Sequence, residues 1–90
     1  MAAQITFKLF ATLSGYLPRE LDGRQRTDHQ IAVEVPEATA VQDVIDRFHL
    51  PPALVHLVLV NGVYVAPAQR STHRLREGDA LAVWPPVAGG

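Results

Sequence analysis

The chain has 90 residues, of which 48% are hydrophobic and 19% charged, and its formal net charge is −1. That composition describes one folded domain with a modest core, neither disordered nor basic enough to carry an electrostatic footprint for nucleic acid or a membrane surface. The lack of any cysteine excludes disulfides, thiolate metal sites and cysteine nucleophiles.

The opening Met1-Ala2-Ala3-Gln4 leads straight into a strand pattern, with neither the basic start nor the apolar run of a secretory signal. The longest apolar stretch, around Leu57 to Val60, is too short to span a bilayer. A cytoplasmic location is the expectation. Ile5, Phe7 and Leu9 alternate with Thr6 and Lys8, predicting a strand with the first three toward the core. Phe10 falls on the outward side by the same count.

Between residues 14 and 28, Ser14-Gly15, Leu17-Pro18 and Asp22-Gly23 are turn dipeptides set among charged residues. The expectation is a long, mobile surface loop, pinned to the body by a short turn at Tyr16, Leu17 and Leu21. Ile31, Val33 and Val35 predict a second strand, closed by Pro36, and the loop before it allows an antiparallel hairpin with the first. Thr39 with Gln42 three residues later reads as a capping box. Val41, Val44, Ile45 and Phe48 then follow one helical stripe. Asp43 complements the helix dipole and stands four residues before Arg47, and Pro51-Pro52 closes the helix.

Residues 55–61 form an apolar run that reads as a central strand buried, or nearly so, on both faces. Asn61-Gly62 is a strong hairpin signal, returning through Val63, Tyr64 and Val65. Segment 66–77 is polar and turn-rich. Glu77-Gly78-Asp79 turns into a last strand, Ala80-Leu81-Ala82-Val83-Trp84, with Leu81 and Val83 inward and Ala80, Ala82 and Trp84 outward. The order predicts an α+β domain over residues 1–84, a mixed five-stranded sheet with one main helix across one face.

The end of the chain, residues 85–90, reads as an extended Gly-Gly tail. Pro85 and Pro86 lack N–H groups and fix φ, so they stop the sheet ladder and start a stiff stalk. Val87 and Ala88 are small and apolar, while Gly89 and Gly90 have no Cβ and fit a narrow tunnel in almost any conformation. At ~3.3 Å per residue the tail reaches roughly 20 Å, with the Gly90 carboxylate at its tip. That carboxylate, unhindered by any side chain, suits presentation to another protein's active site.

No catalytic set emerges from the remaining residues. His29, His49, His56 and His73 show no metal-ligand spacing, so no metal site is expected. Glu77 and Asp79 flank Gly78, an arrangement that suits turn chemistry better than a carboxylate dyad. The outward aromatics Phe10, Tyr64 and Trp84 are candidates for a partner-docking patch beside the tail. The competing expectation is that segment 14–28 folds over them.

The strand opening at 5–11, Asn61-Gly62, Leu75-Arg76-Glu77-Gly78-Asp79 and the ending Trp84-Pro85-Pro86-Val87-Ala88-Gly89-Gly90 together resemble the molybdopterin synthase small-subunit family of sulfur carriers. Gly-Gly alone is shared with the thiazole-pathway carrier and with ubiquitin-related modifiers; the whole series is more specific. The resemblance implies a ubiquitin-like β-grasp fold and a carrier subunit with no catalytic centre and no bound cofactor of its own. It implies that an E1-like adenylating enzyme activates Gly90 with ATP and Mg²⁺, and that a persulfide sulfur donor protein then converts it to a thiocarboxylate. Pro85, Pro86, Val87, Ala88 and Gly89 would thread into the large subunit of molybdopterin synthase, in a heterotetramer. There the sulfur would build the dithiolene of the molybdenum or tungsten cofactor, with Phe10, Tyr64 and Trp84 as apolar contacts. A protein modifier joined to lysines through Gly90, or a thiocarboxylate donor for thiamine thiazole or tRNA thiolation, stays open. Segment 14–29 is longer than in compact members of that family, and Tyr64 and Trp84 stand where smaller apolar residues or phenylalanine are usual.

Overall fold

Strand β1 (Ala2–Leu9) buries Ala3, Ile5, Phe7 and Leu9 and turns Gln4, Thr6 and Lys8 the other way, as its alternation predicts. The computed structural model describes residues 2–86, so the expectations for Val87, Ala88, Gly89 and Gly90 lie outside the described residues. β1 pairs antiparallel with β4 (Gln30–Pro36), from Ala2 opposite Pro36 to Lys8 opposite Gln30. On its other edge it runs parallel to β7 (Ala80–Trp84), from Thr6 beside Ala80 to Leu9 beside Val83. β5 (Leu57–Val60) joins β7 antiparallel, and the two-residue β6 (Val63–Tyr64) forms the outer edge. The sheet order is β4-β1-β7-β5-β6, mixed and five-stranded.

One face of this sheet meets α1 (Val41–Arg47), whose Val41, Val44 and Ile45 join the buried sheet residues in a single core. Each fully buried aliphatic or aromatic side chain contributes roughly 1.5–3 kcal/mol. Phe48 extends the predicted stripe past the helix end and packs on Phe7, ring centroids 4.9 Å apart.

The start of α1 differs from the capping box read at Thr39 and Gln42. Ala40 is the N-cap, and its methyl side chain has no acceptor to offer. The orphan N–H groups are met from elsewhere: Val41 donates to the His73 carbonyl at 3.0 Å and Gln42 to the Arg70 carbonyl at 2.8 Å. Asp43 supplies the reciprocal half of a box, accepting the Ala40 N–H at 3.0 Å. The Thr39 hydroxyl donates to the Pro36 carbonyl at 2.6 Å, and Gln42 reaches along the helix to Asp46. Arg47 donates to the Glu34 carbonyl at 3.1 Å rather than meeting Asp43.

The helix also ends before Pro51. His49 takes a left-handed φ of 57°, its N–H donates to the Asp46 carbonyl at 3.1 Å, and the Leu50 N–H donates to the Ile45 carbonyl at 3.3 Å. These two bonds make a Schellman motif, with the buried pair Ile45 and Leu50 as its hydrophobic contact.

Segment 14–28 is more structured than the surface loop expected from its turn dipeptides. A 3-10 turn (Ala11–Tyr16) is followed by a small hairpin of β2 (Glu20–Leu21) and β3 (Arg24–Gln25). Asp22 and Gly23, at φ of 51° and 78°, close it as a two-residue turn. Leu13 and Leu17 are buried in the main core. Arg26 holds the segment to itself, its Nη1 donating to the Ser14 and Leu17 carbonyls and its Nε to that of Asp28. Arg24 ties the hairpin to β1 through the Gln4 amide oxygen at 3.0 Å.

β5 departs from the reading of a strand buried on both faces: Val58 and Val60 are buried, but Leu57 and Leu59 are only half-buried. It lies second from the sheet edge, and its second face belongs to the side away from α1. β7 stops at Trp84, and the half-buried Pro85 and exposed Pro86 follow without extending the ladder. Among the described residues, no helix is long and apolar enough to cross a membrane.

Candidate partner-docking face

The position of the outward side chains is set by the register of β7. Its first residue is anchored by a network around the Glu77-Gly78-Asp79 turn. Asn61 accepts the Ala80 N–H through Oδ1 at 2.8 Å and donates through Nδ2 to Asp79 Oδ1 at 2.9 Å. Asp79 Oδ2 accepts the Arg76 N–H at 2.9 Å, and Glu77 Oε1 accepts the Gln4 N–H at 2.9 Å. Gly78, at φ 85°, sits where a side chain would be strained. Both carboxylates therefore serve the turn that joins β1, β7 and the β5–β6 hairpin, and not an acid–base pair. Among the described residues, no three His, Cys, Asp or Glu side chains form a group able to hold a metal ion.

At the other end of β7, the parallel pairing of Leu9 with Val83 carries one residue further, and the Phe10 N–H donates to the Val83 carbonyl at 3.2 Å. This brings Phe10 beside Trp84, their rings stacked at 4.0 Å between centroids and 1° between planes. The His29 ring lies 4.5 Å from the Phe10 ring. Two of the three aromatics singled out in the sequence thus form one unit at the foot of the tail.

Tyr64 is on the same face but apart. It lies opposite Leu59, which lies opposite Ala82, while Leu57 lies opposite Trp84. Two strand spacings and two residues place its Cα about 12 Å from that of Trp84. Leu57, Leu59 and Ala82 fill the interval, so the face is a continuous apolar strip with Tyr64, 53% exposed, at its outer end. Sequence reading missed Leu57 and Leu59 because Leu-Val-Leu-Val carries no polar residue to reveal its alternation. The ring that meets Phe10 is that of His29, just after segment 14–28, while Leu17 of that segment is part of the core.

The profile of the ThiS family matches residues 17–90. The chain belongs to the ThiS family. Solved structures share the fold of this ThiS-family chain. The Haloferax volcanii HVO 2177 protein is 28% identical, with a TM-score of 0.70 over 99% of this chain and 88% of its own. SAMP1 from Haloferax volcanii is 24% identical, with a TM-score of 0.66 over 98% of this chain and 100% of its own. A putative molybdopterin converting factor, subunit 1, from Pyrococcus furiosus is 22% identical, with a TM-score of 0.63 over 94% of this chain and 99% of its own. Among curated proteins none matches. The fold is the ubiquitin-like β-grasp that the resemblance implied.

Proposed function

We propose that this chain is a sulfur carrier for molybdopterin synthesis, in which Gly90 is the group modified and the apolar strip is the surface that docks its partners. A carboxylate is a poor electrophile. An E1-like enzyme using ATP and Mg²⁺ converts it to an acyl-adenylate with loss of pyrophosphate; the persulfide of a donor protein displaces AMP to give an acyl disulfide, and a thiol of the partner proteins then attacks the donor's sulfur in that S–S bond, releasing the thiocarboxylate and leaving a disulfide on the partners. The chain contributes the acyl group and the partners contribute the catalytic residues. The large subunit of molybdopterin synthase takes the tail, Pro85 to Gly90, and the sulfur passes to the pterin to build its dithiolene.

The observation that carries this reading is the stacked pair Phe10 and Trp84, continued by Leu57 and Leu59, directly before Pro85 in a ThiS-family chain that ends in Gly-Gly. A partner that covers the strip holds the foot of the tail as it receives the tip. Intact-mass analysis after incubation with the native activating enzyme, ATP and a sulfur donor is expected to show one oxygen replaced by sulfur. Deleting Gly90 is expected to abolish that change with the fold intact. An unchanged mass for the full chain would sink the proposal.

Likeness to SAMP1, a small archaeal modifier protein, from Haloferax volcanii and Methanosarcina acetivorans favours a second reading, in which the activated Gly90 is joined to lysines of other proteins. Lysines of other proteins carrying residues 77–90, the remnant that trypsin leaves by cutting after Arg76, in digests of cells expressing the chain would support it. Their absence, with thiocarboxylate present, leaves the carrier alone.

A further inference from the structure

Lys8 is the sole lysine of the chain, and the sheet register sets it in the same row as the apolar strip. Gln30 lies opposite it on β4 and Ala82 beside it on β7, while Leu59 lies opposite Ala82 and Tyr64 opposite Leu59. Lys8 and Tyr64 therefore mark the two ends of one row, about 14 Å apart across three strand spacings. Trp84 stands one strand over and two residues on, about 8 Å from Lys8 between Cα atoms. Ala82 points away from the core and yet is only 8% exposed. Its neighbours in the row, Leu59 and the aliphatic stem of Lys8, are the side chains long enough to shelter it. A lysine laid along apolar surface in this way keeps its ammonium at the boundary with water.

No residue of the strip carries a carboxylate, and Lys8 has neither an ion pair nor a side-chain hydrogen bond among the described residues. Asp28, next to the His29 whose ring meets Phe10, turns its carboxylate to His29 Nδ1 at 3.2 Å. The Trp84 Nε1–H also has no acceptor. Neither nitrogen is sealed off, because Arg70 Nε is the one unpaired side-chain nitrogen or oxygen shut away from solvent among the described residues. The end of the strip at Lys8 and Trp84 thus offers donors, one of them fully charged. Given the docking role of the strip, on which this rests, we propose that the protein covering it places an aspartate or glutamate carboxylate against Lys8. A wholly apolar cover would take water from the ammonium and give nothing in return, whereas a carboxylate replaces that water with a charge-assisted hydrogen bond. A cation in the same place on the partner would be repelled, so the charge of Lys8 selects among apolar surfaces of similar shape and speeds the approach of the matching one.

The test is calorimetric titration of the full chain with the activating enzyme of the same organism. Lys8→Met keeps the apolar stem and removes the charge, and is expected to weaken binding about fivefold. Lys8→Glu, which sets two like charges together, is expected to weaken it about fiftyfold. Lys8→Arg keeps the charge and is expected to bind within about twofold of the parent, which separates a lost charge from a damaged fold. Between about 50 and 500 mM sodium chloride, the affinity of the parent should fall more steeply than that of Lys8→Met. Because the chain has one lysine, acetylation of Lys8 by an amine-reactive ester is read at a single side chain, and it should slow in the complex. If Lys8→Met and Lys8→Glu both bind like the parent while Leu59→Glu does not, the carboxylate is overturned and the strip remains a docking surface. Tighter binding by Lys8→Met, or unchanged binding together with self-association of the free variant, overturns it as well and assigns the charge to keeping free chains apart. If the Lys8 variants and Leu59→Glu all bind like the parent, or the parent does not bind, the docking role of the strip fails and the carboxylate with it.

Discussion

Phe10 and Trp84 come from opposite ends of the chain and lie ring on ring, 4.0 Å and 1° apart. The contact follows from one parallel register: once Leu9 lies beside Val83, the next residue of each strand faces the same way. Phe10→Ala and Trp84→Ala are each expected to cost about 1–3 kcal/mol in urea unfolding. Because the rings share one contact, the double variant should show a coupling of about 0.5–1.5 kcal/mol. Additive losses would mean that the stack contributes nothing beyond two separately half-buried rings.

Tyr64 gives the complementary case. More than half exposed at the sheet edge, its ring contributes little to the fold, so Tyr64→Ala is expected to change unfolding free energy by no more than about 0.5 kcal/mol. If the strip is a docking surface, the same variant should weaken association with the activating or acceptor partner by about tenfold, near 1.4 kcal/mol. Leu59→Glu, at the centre of the strip, should weaken it further. Calorimetric titration that finds both variants binding like the parent would remove the strip from the interface.

The parts of this fold legible in the sequence are those in which polar residues mark out the apolar ones. Ile5, Phe7 and Leu9, or Ile31, Val33 and Val35, alternate against polar or small neighbours, and Asn61-Gly62 states its own turn. Leu57 and Leu59 were illegible for the opposite reason, since every residue of that strand is apolar. Leu13 was hidden because a 3-10 turn of six residues is too short for a period to emerge, whereas Leu17, expected to pin that segment to the body, is buried. The caps of α1 could not be read locally, because the acceptors are carbonyls at Arg70 and His73, brought there by tertiary structure. On the face of the apolar strip, period-2 counting placed Phe10, Tyr64 and Trp84 on one side, but only the strand order shows that Tyr64 stands apart from the stacked pair.

His49 is an exposed, non-glycine residue at φ 57° in a Schellman motif. Glycine takes that conformation without the steric penalty of a Cβ, which outweighs its greater loss of backbone entropy at such a site. His49→Gly is therefore expected to stabilise the domain by about 0.5–1 kcal/mol, raising Tm by roughly 2–8 °C. A lower Tm would show that the imidazole makes a contribution larger than the strain it causes.

Asn61 and Asp79 fasten the start of β7, and with it the register that sets Trp84 beside Phe10. Asn61 uses both ends of its amide, accepting from Ala80 and donating to Asp79, so Asn61→Ala leaves the Ala80 N–H and an Asp79 oxygen without those bonds. A cost of about 1–3 kcal/mol follows from that loss, together with strain at φ 51° in the hairpin turn, where alanine is poorly suited. Asp79→Ala should cost a comparable amount by releasing the Asn61 amide and the Arg76 N–H. Because the two side chains share a bond, the double variant should be less destabilised than the sum of the two. Hydrogen exchange can separate this anchoring role from a purely local one. The amides bonded across β7, those of Thr6, Asn61 and His56, should all exchange faster in Asn61→Ala. Faster exchange confined to Asn61, with His56 at the far end of the strand protected as before, would mean that the turn does not control the register at Trp84.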